Sequence, residues 1–257
     1  MGNDMNMDTT DLFTYTIRQA DNSMILCQRL CQWVAKGPEL EEDIALTNIG
    51  LDMIGQARSL YQYAAQLNDK YDSEDDLAFL RDEREWFNFL LVEQPNGNFA
   101  DTIARQYFYD VWHLAFLEQM IDSKDEYLAA VAAKSIKEAT YHVRHSSTWV
   151  KRLGDGTQLS KQRMQAGVDE MWLFTPEMFE SDEIDQRMLS AGIAADLDVV
   201  KQQWQQQVTS VLDEATLDIP DEAFLVNGGR QGVHTQHMGY LLAEMQILPR
   251  SFPGCDW

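Results

Sequence analysis

Two short runs hold the residues best suited to chemistry. In KEATYHVRHSSTW (137–149), Glu138 and His142 stand four apart and His145 follows three later; in DVWH, Asp110 and His113 stand three apart. On a helix, residues three or four apart share a face. Each run could therefore offer one carboxylate and one imidazole to the same ion. That is half of a carboxylate-bridged di-iron centre, which takes a Glu from each of two helices and a Glu-x-x-His pair from each of two others.

The chain supplies that set only if the spacing rule is relaxed. Three residues upstream of the five histidines stand Asp110, Ala139, His142, Gln231 and His234, so Asp110–His113 is the one acid-x-x-His pair. Where a bundle site calls for glutamate there are Asn48 and Asp52, and RDEREWFNFLL holds no histidine. A mononuclear site remains open. The plainer expectation is that Glu138, His142, Asp110 and His113 are buried or partly buried groups that hydrogen-bond one another. On this reading the chain has no catalytic residue and no metal ligand of its own.

Other chemistries find less support. NGGRQG lacks P-loop spacing, no serine sits in a G-x-S-x-G elbow, and no base adjoins a cysteine. Cys27, Cys31 and Cys255 cannot all pair, which suits a reducing compartment. Cys27 and Cys31 share a helix face and are expected to be two small buried hydrophobes.

The elements that must position these residues are helices, because apolar residues recur at three- and four-residue steps and alternating β-branched runs are absent. The pattern predicts helices over residues 11–34, 38–67, 75–92, 99–121, 124–153, 160–172, 182–190, 196–215 and 234–248. Gly37-Pro38, Asn96-Gly97 and GDGT mark breaks between them. Short connectors pair the second helix with the third and the fourth with the fifth, as an antiparallel bundle requires. The expectation is one all-α domain over residues 1–257, a four-helix bundle with additional C-terminal helices and a disordered segment 1–10.

The formal net charge of −22 repels nucleic acid and anionic membrane. No signal peptide is visible at the N-terminus, and no apolar stretch approaches the roughly 18–20 residues of a membrane span. A cytoplasmic protein is expected. Against the acidic background, residues 134–163 carry Lys134, Lys137, Arg144, Lys151, Arg152, Lys161 and Arg163 with only Glu138 and Asp155, a local +5. This is a solvated helix face or a contact for a partner's acidic surface or a phosphate group.

Longer segments carry a resemblance over residues 11–257: PELEEDIALTNIGLDMIGQAR, LAFLRDERE, LLVEQPNGNFADTIARQYF, KSIKEATYHVRHS, SDEID and GVHTQHMGYLLAEMQ. In these the chain resembles the C-subunit (PaaC-type) family of phenylacetyl-CoA epoxidase, also called ring-hydroxylating phenylacetate-CoA oxygenase. The resemblance implies a ferritin-like fold without metal ligands, acting as a structural subunit in aerobic phenylacetate degradation. It implies a catalytic A subunit that holds the di-iron centre, a reductase subunit that uses NADPH, and a hetero-oligomer in which this chain could also pair with itself. It further implies contact with phenylacetyl-CoA through Glu85, Trp86, Phe87 and Asn88, after RDER, and through Gln186, Arg187 and Met188, after DEID. The alternatives are a di-iron oxygenase subunit active in its own right and a stand-alone helical binding protein.

Overall fold

Four long helices form the bundle. They are α1 (Thr9–Cys31), α2 (Leu40–Leu67), α4 (Phe99–Met120) and α5 (Glu126–Gly154), with the short α3 (Glu74–Phe79) between the second and third. The computed structural model describes residues 9–221 and 226–255. α1 packs on α2, α4 on α5, and α2 on α5. Around them lie α6 (Gln158–Trp172), α7 (Glu183–Ser190), α8 (Leu197–Glu214) and α9 (Met238–Ser251). The described residues contain no strand, and the arrangement is that of an all-α, ferritin-like helical bundle.

Burial follows from this layout. α4 is covered by α5, α6 and α8, and 17 of its 22 residues are buried. α1 is enclosed almost as fully, with 17 of 23 buried. α2 and α5 lie on the outside and bury one stripe each: Leu46, Ile49, Met53, Ala57, Leu60 and Ala64 on α2 recur at three- and four-residue steps. At roughly 25 cal/mol per Å² of apolar area removed from water, this shared core is the main stabilising term.

Capping sets the starts of several helices. Ser73 accepts from Asp76 N, and Asp76 returns the bond to Ser73 N, a capping box that opens α3. Asn98, Asp125, Thr157, Asp182 and Asp196 cap α4, α5, α6, α7 and α8 with their side chains. α1 ends at Cys31 and not at residue 34, because Gln32, Trp33 and Val34 turn back on carbonyls three residues earlier. Residues 1–8 of the segment expected to be disordered lie outside the described residues, and Thr9 and Thr10 form the first turn of α1.

The largest departure from expectation is the helix predicted over 75–92. It stops at Phe79, and residues 80–98 form a strap with only one turn of 3-10 helix, Glu83–Glu85. The bundle is therefore completed by α1, not by this segment. The apolar run WFNFLLV misled because it is buried without being helical: Trp86, Phe89, Leu90, Leu91 and Val92 are all in the core. Its backbone donors are taken by side chains from elsewhere. Phe87 N donates to Asp21, Phe89 N to Asn22 and Leu90 N to Glu177, which satisfies them without a helix.

Candidate functional site

The ligand-type residues lie in a polar belt between α2, α4 and α5. Glu138, His142, Asp110 and His113 do not bond one another, contrary to expectation. Gln56 Nε2 donates to Glu138 at 3.0 Å, His142 Nε2 meets Asp52 at 3.0 Å, and Gln106 Nε2 donates to Asp110 at 2.7 Å. One turn beyond His142, His145 Nε2 meets Glu42 at 2.8 Å. The reason is helix register. Gln56 and Asp52 stand four apart on α2, as Glu138 and His142 do on α5, so the two helices pair them side by side, while Asp110 takes Gln106 from its own helix.

The belt is also under-bonded. Asp110 Oδ2, Gln106 Oε1 and the Nδ1 atoms of His113, His142 and His145 are buried without a hydrogen-bond partner. Burial raises the Asp110 carboxyl to about 6, against the pull of His142, Ser146 and Gln106. Burial lowers His113 to about 3, with the nearby His142 adding to the effect, so His113 is neutral. His113 lines a small cavity with Gln19, Ser23 and Gln56. Among the described residues, no three His, Cys, Asp or Glu side chains converge as a metal-ligand group.

The second polar region is the strap. Asp21 on α1 is fully buried and takes Arg81 in a two-point ion pair, with Tyr61 Oη at 2.7 Å and Phe87 N at 2.8 Å. The Arg81 guanidinium stacks 4.2 Å from the Trp86 ring. Glu177 accepts from Leu90 N, Gly228 N and Gly229 N at 2.7–3.0 Å. Glu93 accepts from Thr235 N at 2.7 Å and pairs with His234 Nδ1 at 3.0 Å, while His234 Nε2 lies 3.0 Å from the Trp86 carbonyl. Both ring nitrogens of His234 face acceptors; burial opposes its charged form, but Glu93 and the Trp86 carbonyl outweigh that cost and raise its pKa above the ordinary value.

The seven residues singled out for substrate contact fall on the strap and on α7. Trp86 and Asn88 are buried, and Asn88 Nδ2 donates to the Phe89 carbonyl at 3.0 Å; Phe87 is half-buried against the core. Glu85 is partly exposed and receives Lys70 Nζ at 2.6 Å. On α7, Met188 is buried, Gln186 is exposed, and the exposed Arg187 grips Asp11 with Nε at 2.5 Å and Nη2 at 2.9 Å. The two segments are brought to one helix, α1: the strap at Asp21 and Asn22, α7 at Asp11 and Arg18, where Arg18 meets Asp182 at 2.5 Å. Asp11, Arg18 and Asn22 lie seven and four residues apart and so share a face of α1.

No motif in the sequence marks Asp21, Asn22, Glu93, Glu177 or His234. The only local signal was an acid inside an apolar run, LLVEQ. Of the basic residues, Lys151 pairs with Glu214 and Lys161 donates to Thr216. Lys134, Lys137 and Arg163 are exposed on α5 and α6.

Fold and site together define a helical-bundle protein whose interior keeps imidazoles and carboxylates in separate pairs, beside a strap fixed by buried charge. Residues 2–257 match the family described as phenylacetic acid catabolic protein, and the chain belongs to that family. This is the family that the sequence segments indicated. The chain is 52% identical over 246 residues to the C subunit of 1,2-phenylacetyl-CoA epoxidase from Escherichia coli (strain K12), a match that covers 96% of this chain and 99% of that protein. No helix among the described residues is long and apolar enough to cross a membrane.

Proposed function

We propose that the chain is a structural, non-catalytic subunit of a multicomponent phenylacetyl-CoA epoxidase. It scaffolds a catalytic A-type subunit that holds the di-iron centre, works beside an NADPH-using reductase, and adds contacts for the CoA ester. The observation that carries this reading is the pairing in the belt: Asp110 is held by Gln106, Glu138 by Gln56 and His142 by Asp52. Carboxylates committed to separate partners do not form a bridging set, so these residues do not fit a di-iron group. The near-complete likeness to the C subunit of an epoxidase supports the assignment to the complex.

For the substrate, Gln186 and Arg187 on α7 and Glu85 on the strap are the accessible members of the set. Trp86, Phe87, Asn88 and Met188 act by holding the surface in shape. Exposed Lys134, Lys137 and Arg144 on α5 suit the acidic part of a partner subunit.

Iron-supplemented expression followed by metal analysis and capture with the A-type subunit tests the proposal. The expected result is background iron in this chain and its recovery in a stable complex. Stoichiometric iron that disappears in Glu138→Ala or His142→Ala would overturn it. That outcome would favour the second reading, an oxygenase subunit active in its own right, for which the unpartnered atoms of Asp110, His113 and His142 are the supporting observation. A chain that neither binds iron nor copurifies would be a stand-alone helical protein.

A further inference from the structure

Outside the belt and the strap, two thiols face each other on α1. The Sγ atoms of Cys27 and Cys31 lie 3.9 Å apart. Their shared helix face predicts two buried thiols, but only Cys27 is buried, at 4% exposed, whereas Cys31 lies at the surface. Such a division suits a reactive pair, in which the accessible thiol meets a reagent and the buried one resolves it. The contact with Cys27 lowers the Cys31 thiol to about 7, within reach of neutral pH. The same contact, together with burial, drives the Cys27 thiol upward.

In mid-helix this spacing would be inert, because Cβ atoms four residues apart are about 5–6 Å from each other and a disulfide spans roughly 3.5–4.5 Å. Here the helix ends at Cys31. Beyond it Gln32 N, Trp33 N and Val34 N bond the carbonyls of Arg29, Leu30 and Cys31 at 3.3, 3.0 and 3.2 Å. Ala35 adopts a positive φ of 63°. Drawing Cys31 onto Cys27 therefore tightens one terminal turn and leaves the rest of α1 in place.

We propose that Cys27 and Cys31 form a reversible disulfide switch that responds to hydroperoxides. The Cys31 thiolate attacks one oxygen of hydrogen peroxide; the O–O bond breaks, and the departing hydroxide takes up a proton to become water. Cys31 is left as a sulfenic acid. The Cys27 sulfur then attacks the Cys31 sulfur and expels hydroxide, which leaves as water with the Cys27 proton. Two thiols and one peroxide become one disulfide and two waters, each sulfur losing one electron and each peroxide oxygen gaining one.

Arg29 lies between the two cysteines, so trypsin separates them into peptides 19–29 and 30–36. The reduced full-length chain, treated with hydrogen peroxide without denaturant, is expected to fall from three free thiols to one. Its digest should contain these two peptides joined by a bond that dithiothreitol cleaves. Cys27→Ser should stop at a sulfenic acid on Cys31, trapped by a cyclic 1,3-diketone, and Cys31→Ser should yield neither product. Persistence of three thiols, a bridge to Cys255, or conversion of Cys31 to sulfinic acid with no joined peptide would overturn the proposal. The digest of the unmodified chain decides the question even if a variant fails to fold.

Discussion

The belt and the strap are both buried and polar, yet they are built on opposite principles. In the strap each carboxylate is heavily bonded: Asp21 serves Arg81, Tyr61 and Phe87, and Glu177 serves three backbone N–H groups. In the belt Asp110 has one bonded oxygen, and three imidazoles keep an unpartnered nitrogen. A buried charge that is fully satisfied locks a unique conformation, whereas an unsatisfied one costs stability. The strap is thus an anchor for backbone that has no helix to stabilise it, and the belt is a polar layer whose groups the surrounding fold merely tolerates.

The sharpest way to break this comparison is to remove one carboxylate from each region. Asp21→Ala leaves Arg81 charged, buried and unpaired, and should cost about 3–5 kcal/mol in denaturant unfolding. A loss below about 1 kcal/mol would show that the strap does not depend on its buried charge. Asp110→Asn should do the reverse. The folded Asp110 pKa is raised to about 6 from 3.8, so its favourable contribution is present below the unfolded value and lost as pH rises through about 6. The amide escapes that loss, and at alkaline pH the variant should gain about 1–3 kcal/mol, with no gain in acid. Destabilisation at both pH values would mean that Asp110 is satisfied after all.

Two histidines sharpen the contrast through pH. His113 is held neutral, so the unfolded chain takes up a proton first as pH falls, and stability should drop from 6.5 down towards about 3. His113→Gln should flatten that acid limb in unfolding midpoints. His234 has a raised pKa, so its contribution is complete below the unfolded value and is lost as pH rises through the folded one. Accordingly His234→Gln should be weaker than the parent in acid, and the difference should shrink as pH rises. Acid limbs of equal slope in the parent and in His113→Gln would remove the titration basis for separating the regions.

The smallest effect should come from the surface. Changing Lys134 and Lys137 together to Ala should alter stability by no more than about 0.5 kcal/mol, since both are exposed. Capture by the A-type subunit at low salt should nevertheless weaken if this face meets an acidic partner. Unchanged capture would reduce it to a solvated surface.

Much of the fold was legible because helix signals are local. GDGT acts as a stop within one turn, and α5 ends at its first residue, Gly154. The candidate residues were legible as types and spacings but not as partners. Asp52 was noticed only as a poor substitute for glutamate, and in the structure it is what His142 binds. Arg187, read as a substrate contact, is already engaged with Asp11, 176 residues away in the chain.

Residue periodicity and the quoted segments determined by themselves that this is an all-helical member of the phenylacetic acid catabolic protein family. Tertiary structure alone decided the fate of residues 80–98 and which helix completes the bundle. The reason is the distance over which the deciding bonds act. Phe87, Phe89 and Leu90 find their acceptors 66, 67 and 87 residues away. A three- or four-residue apolar rhythm describes what a segment buries; it carries no information about which distant side chain will take its backbone hydrogens.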